Sequence, residues 1–147
     1  MNRTEPPRTI KMNFAQTIRE RNALFVSRID GVFRQLIQWY PACWEGFLEL
    51  NSTIHQEFEM WGTTEKNKKS VSERAEQNQL NNDIQGVLDR WAGLTRGFAR
   101  LIATTEPALG ERAFVLSEDI VNLLADYKLT IGKPAEVVEN VLSKESI

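Results

Sequence analysis

The stretch Leu80-Asn-Asn-Asp-Ile-Gln-Gly-Val-Leu-Asp-Arg-Trp-Ala-Gly-Leu-Thr-Arg-Gly-Phe-Ala-Arg-Leu101 decides the fold. Its large apolar residues Leu80, Ile84, Val87, Trp91, Leu94, Phe98 and Leu101 recur at spacings of 4, 3, 4, 3, 4 and 3. That spacing draws an apolar stripe along a helix for about three heptads. A strand alternates with period two and does not produce it. A helix striped on one side needs other elements to cover the stripe.

On the C-terminal side, Thr104, Thr105 and Glu106 precede Pro107 and mark a boundary. Thr105 suits a cap and Pro107 the first turn of the next helix. Leu109, Ala113, Leu116, Ile120, Leu123 and Tyr127 then form a seam ending near Leu129, before Gly132. Lys133-Pro134 opens a short last helix with Val137, Val138, Val141 and Leu142 as its apolar face.

On the N-terminal side, Ser70 and Glu73 have capping-box spacing at the start of the organising helix. The turns up to Gln79 are polar enough to project beyond a bundle. Residues 62–70 are polar and read as a loop, with Gly62 stopping the helix before it. That helix, from about Ala42 to Trp61, carries Trp44, Phe47, Asn51, Ile54, Phe58 and Trp61. The first helix runs from about Ile10 to Trp39, with Ala15, Ile18, Asn22, Phe25, Ile29, Val32, Leu36 and Trp39 in its seam.

Pro41 separates these two helices, because a residue before proline is pushed out of helical geometry. A tight reversal at Tyr40-Pro41 is favoured over one kinked helix, since both stripes then cover each other. The expected fold is all-α: an antiparallel up-down-up-down four-helix bundle with a short C-terminal fifth helix. Residues 1–9, with Pro6 and Pro7 among polar neighbours, read as a flexible N-terminal tail before one bundle domain over 10–147.

The 147 residues are 41% hydrophobic and 26% charged, which suits a folded domain with its own core. A net charge of −2 argues against a general nucleic-acid binder, which carries a basic excess. One cysteine, Cys43, allows no internal disulfide. The first residues have no apolar signal region, and no apolar run is long enough to span a bilayer. A cytoplasmic location is the expectation.

Reactive groups do not converge. His55 is the only histidine and lacks the Glu-x-x-His context of carboxylate-bridged metal bundles, because Ser52 precedes it by three. Cys43 lies twelve residues from His55, roughly 18 Å along one helix, too far for a dyad. Asn22 and Asn51 interrupt apolar seams. Each is read as bonded to backbone or near an edge, or as a device that sets register. With a reversal at Pro41 they do not reach each other. No catalytic residue, metal or cofactor is expected, and the chain is read as a non-enzyme.

Two groups remain for protein contacts. Trp39, Tyr40 and Trp44 surround the first junction. Trp39 and Trp44 fit core seams, whereas Tyr40 has no core slot in that register. Exposed Trp and Tyr dominate binding hot spots. The second group is Gly86, Arg90, Gly93, Gly97 and Arg100, on one stripe of the organising helix. Glycine inside a helix costs about 1 kcal/mol relative to alanine, so three on one stripe suggest close approach of another backbone. Trp91-Ala92-Gly93 repeats the letters of the WXG motif of small secreted helical hairpins. That motif sits at a turn; here the letters fall mid-helix, and no family resemblance follows.

The expected function is a non-catalytic interaction protein that self-associates, as a homo-oligomer, or docks on a larger protein assembly. The alternative is a small chaperone or inhibitor that sequesters one protein partner.

Overall fold

The structure, a computed structural model, describes residues 14–41, 44–64 and 71–145. The described chain is helical and contains no strand. In order it forms α1 (Phe14–Trp39), α2 (Trp44–Thr64), α3 (Val71–Thr105), α4 (Gly110–Lys128) and α5 (Ala135–Glu145), with a 3-10 turn at Pro107–Leu109 before α4. The expected tail and the cap residue Ser70 lie outside the described residues. Among the described residues, no helix is long and apolar enough to cross a membrane.

Helix α1 packs along α2 and α4 and touches α5, while α3 packs along α4. Side chains from both sides of Pro41 meet, Phe33 against Phe47 and Asn22 against Phe58.

The centre is aromatic. Phe58 stacks on Tyr127 with ring centroids 4.2 Å apart, and Trp61 stacks on Trp91 at 5.4 Å. Phe25 meets the Tyr127 ring edge-on at 5.4 Å. Such pairs add about 0.5–1.5 kcal/mol each beyond the area they bury. Because these residues come from α1, α2, α3 and α4, one cluster ties all four long helices together.

The buried positions drift from a strict heptad. Along α1 and into the residue after it, the central buried row is Ile18, Asn22, Phe25, Ile29, Phe33, Leu36 and Tyr40, spaced 4, 3, 4, 4, 3 and 4, with Thr17 and Arg21 buried beside it. The expected Val32 and Trp39 each give way to the next residue. In α3, Ile84, Leu88, Trp91, Thr95, Ala99 and Ile102 are buried, and in α4 Leu124 takes the place expected of Leu123. The expected seam members Leu94 and Leu101 are instead 47% and 51% exposed. The cause is geometric: a straight helix has 3.6 residues per turn, so a 3.5-residue pattern slips about 20° per heptad.

Three terminus expectations are also corrected. Gly62 does not end α2, which runs to Thr64. Gly62 is buried against α1, where an added Cβ would lie 3.3 Å from the Asn22 amide nitrogen. Thr105 closes α3 instead of capping α4, its hydroxyl donating to the Leu101 carbonyl at 2.9 Å. The chain after Pro107 makes a 3-10 turn before α4 begins. Gly132 is the one described glycine with positive φ, 73°, and it turns the chain between α4 and α5.

Candidate interaction surface

The drift of α3 leaves its other flank bare. Gly86, Arg90, Gly93 and Arg100 are exposed and Gly97 is half-buried. Their spacings of 4, 3, 4 and 3 repeat those of the inner seam. A Cβ added at Gly86, Gly93 or Gly97 meets nothing within 4 Å. The close backbone approach expected at these glycines is therefore not made by the described residues of this chain.

Close approach occurs instead at two glycines not singled out by spacing. A Cβ on Gly46 would fall 2.6 Å from the Phe98 ring, and one on Gly110 would fall 2.9 Å from the Ala103 Cα. Gly46 seats α2 against α3, and Gly110 seats α4 against α3. Gly110 lies three residues after Pro107, where a helix begins beside the one just ended. That position was the available signal.

Leu94 and Leu101 lie beside the bare stripe on α3. The guanidinium groups of Arg90 and Arg100 make no ion pair or hydrogen bond among the described residues. Arg96, one turn away, is occupied: Nε and Nη2 donate to the two Glu118 oxygens at 2.9 and 3.2 Å. Those hydrogen bonds and the arginine charge hold the Glu118 carboxyl below its ordinary range, against the upward pull of burial. The stripe thus combines open glycines, two cations without a partner among the described residues, and half-exposed leucines.

At the first junction the roles of neighbours are exchanged. Tyr40, expected to lack a core slot, is 0% exposed. Its hydroxyl donates to the Leu109 carbonyl at 2.7 Å, tying the end of α1 to the turn before α4. Burial pushes its phenol pKa up, with Glu106 adding to the rise. Trp39, expected in the core, is 45% exposed, and the Arg112 guanidinium lies 4.1 Å above its ring. Drift again explains the exchange, since the buried stripe reaches residue 40 and not 39. Trp44 opens α2, and its side chain, like Cys43, lies outside the described residues.

The seam asparagines find separate partners. Asn22 Nδ2 donates to the Phe58 carbonyl at 2.7 Å, and its Oδ1 accepts from Arg21 Nε at 2.8 Å. Arg21 is fully buried and also donates to the Tyr127 hydroxyl and to Thr130 Oγ1. A buried arginine was not foreseen. It sits in the α1 sequence as one of several charges, and only the positions of Tyr127 and Thr130 explain it.

Asn51 Nδ2 donates to Asp30 Oδ1 at 2.8 Å, and Arg34 Nε donates to Oδ2. His55 Nε2 lies 3.3 Å from Oδ1, close enough for charge attraction but not aligned as a hydrogen bond. Burial pushes the Asp30 carboxyl up. Hydrogen bonds from Asn51 and Arg34, with the charges of Arg34 and His55, outweigh it and hold the pKa below its ordinary 3.8.

Chemically, these clusters tie helices together. No group of three or more His, Cys, Asp or Glu residues converges on a metal position among the described residues. Comparison of the chain with protein families, with curated proteins and with solved structures found no match.

Proposed function

We propose that this chain is a non-catalytic, cytoplasmic interaction protein that pairs with a second copy of itself through the outer flank of α3. The domain carrying that flank spans residues 10–147. Its architecture is an antiparallel up-down-up-down four-helix bundle with α5 packed on α1. The order of contacts supports this. Phe33 meets Phe47 while Asn22 meets Phe58; Phe47 meets Phe98 while Trp61 meets Trp91; Arg96 meets Glu118 while Asp89 meets Lys128. In each pair of helices one numbering rises as the other falls.

The observation that carries the pairing is the half-exposure of Leu94 and Leu101 beside a helix face free of obstruction at three glycines. The flank is also complementary to itself. If two α3 helices cross antiparallel near Gly93, Arg100 of one copy lies over Gly86 of the other, and Arg90 lies over Gly97. Glycine leaves room for the arginine stem, which covers apolar surface while its head stays wet. Asp83, exposed one turn from Gly86, is then within reach of the partner's Arg100. A two-fold axis repeats every such contact twice.

Sedimentation over a range of concentrations tests this. The expected result is a reversible dimer that a Gly93→Leu substitution converts to a monomer with unchanged helical circular dichroism. A strictly monomeric parent protein would overturn self-pairing and leave the sequestering chaperone or inhibitor as the better reading.

A further inference from the structure

We propose that the groove between α1 and α2 docks an amphipathic helix of a protein partner, one that carries a large apolar side chain between an acid and a base. The groove holds about 430 Å³. Its floor is apolar: Val26 and Phe58 flank a dip left by two small residues, Ala23 on α1 and Gly62 on α2. An apolar cavity of about 150 Å³ accommodates benzene, so the groove has room for one aromatic or branched side chain and the stems beside it. Arg19, Ala23, Glu59 and Thr63 are exposed along it, so it has no lid. A free small molecule stays largely in water there, whereas small-molecule sites bury roughly 70–90% of their ligand. A helix closes the groove with its own backbone. The walls run from Arg19 to Val26 and from His55 to Thr63, about two helical turns on each side. That length suits anchors one turn apart, the pattern by which a groove recognises a helix.

The charges on the walls define the occupant. Other polar groups bordering the groove are already committed. Asn22 donates to the Phe58 carbonyl, the Thr63 hydroxyl donates to the Met60 carbonyl, and His55 turns Nε2 toward Asp30. Arg19 and Glu59 differ: both are exposed, and neither makes an ion pair or hydrogen bond among the described residues. The Asn22–Phe58 bond sets the level of the two helices. Glu59 follows Phe58 on α2, and Arg19 stands about one turn away on the facing wall. A helix lying between them meets a cation on the α1 side and an anion on the α2 side. Its complement is an acid toward α1 and a base toward α2, with the apolar side chain between them. A groove of two turns is smaller than a standard interface, so the contact is a transient one.

Selection of a phage library against the full chain tests the assignment. The library varies one helix of a stable three-helix scaffold, because short helices are marginal alone. It offers Leu, Phe or Trp at a central position, and Asp, Glu, Lys, Arg or Ser three and four residues to either side. The expected clones carry the large apolar residue with one acid and one base flanking it. Ala23→Trp fills the dip and should abolish their binding while leaving the helical circular dichroism unchanged. The double exchange Arg19→Glu with Glu59→Arg should weaken a clone roughly tenfold, and exchanging that clone's own acid and base should restore it. Gly93→Leu, which removes self-pairing, should leave clone binding unchanged, so the two readings succeed or fail separately. Failure to enrich any clone would overturn the docking site. So would clones that bind Ala23→Trp as tightly as the parent, or clones indifferent to the charge exchange.

Discussion

On its inner flank α3 presents Ile84, Leu88, Trp91 and Ile102; on its outer flank, at similar helical spacing, it presents Gly86, Arg90, Gly93, Gly97 and Arg100. The inner residues are buried, with Trp91 against the Phe58 and Trp61 rings of α2. The outer glycines face open space. Spacing alone therefore says which residues share a face, not which face is filled. Side-chain volume distinguishes the two. Large apolar groups fill the space between helices at interior packing density, whereas small and charged residues leave a flank on which another helix can be laid.

The largest expected effect lies on the inner flank. Trp91→Ala removes a ring stacked on Trp61 and in contact with Phe58. It should cost about 3–5 kcal/mol of unfolding free energy, measured by urea denaturation. Leu94→Ala, half-exposed one turn away, should cost well under half of that at concentrations where the chain is monomeric. Equal losses would erase the distinction between the flanks.

Glycine substitutions sharpen it further, because the two classes of glycine should respond with opposite sign. Gly110→Ala forces a methyl against the Ala103 backbone and should destabilise by about 1–3 kcal/mol. Gly93→Ala meets no obstruction and should stabilise the monomer by up to about 1 kcal/mol through helix propensity. Thermal melts at low protein concentration separate the two. A loss of monomer stability at Gly93→Ala would mean that the outer flank is already covered.

The smallest effect concerns pH and lies away from α3, at the α1–α2 contact. Asp30 has a depressed carboxyl pKa in the folded chain. Its contribution is therefore present above the unfolded pKa and is lost as pH falls through the lower folded value, in the window below about pH 4. The contribution should stay below about 1 kcal/mol, since the group is partly solvated. Asp30→Asn should flatten the acid limb of a stability-against-pH curve. An unchanged limb would show that Asp30 does not set it.

Much of this architecture is legible in the residues alone. The five helices follow from apolar periodicity and from Pro41, Pro107 and Pro134. What escapes a heptad reading is rotation. Over the length of α1 the slip moves the core from Trp39 to Tyr40, and along α3 it turns Leu94 and Leu101 outward. Seating also escapes it: Gly46 and Gly110 differ from Gly93 only in what lies opposite, which is a property of the neighbouring helix. Burial of Arg21 depends on Tyr127 and Thr130, more than one hundred positions away. The outer stripe of α3 is legible by spacing, but its openness is not.

The central claim is that this stripe meets its own copy, and proximity across the proposed axis tests it most directly. With Cys43 replaced by serine, Gly93→Cys should form an interchain disulfide under mild oxidation. An antiparallel crossing centred there brings the two Cα atoms within the roughly 4.4–6.8 Å that a disulfide spans. A cross-linked dimer formed by this variant, and not by a Glu111→Cys control on α4, is the predicted result. Equal cross-linking of both variants, or none at Gly93→Cys, would contradict the account.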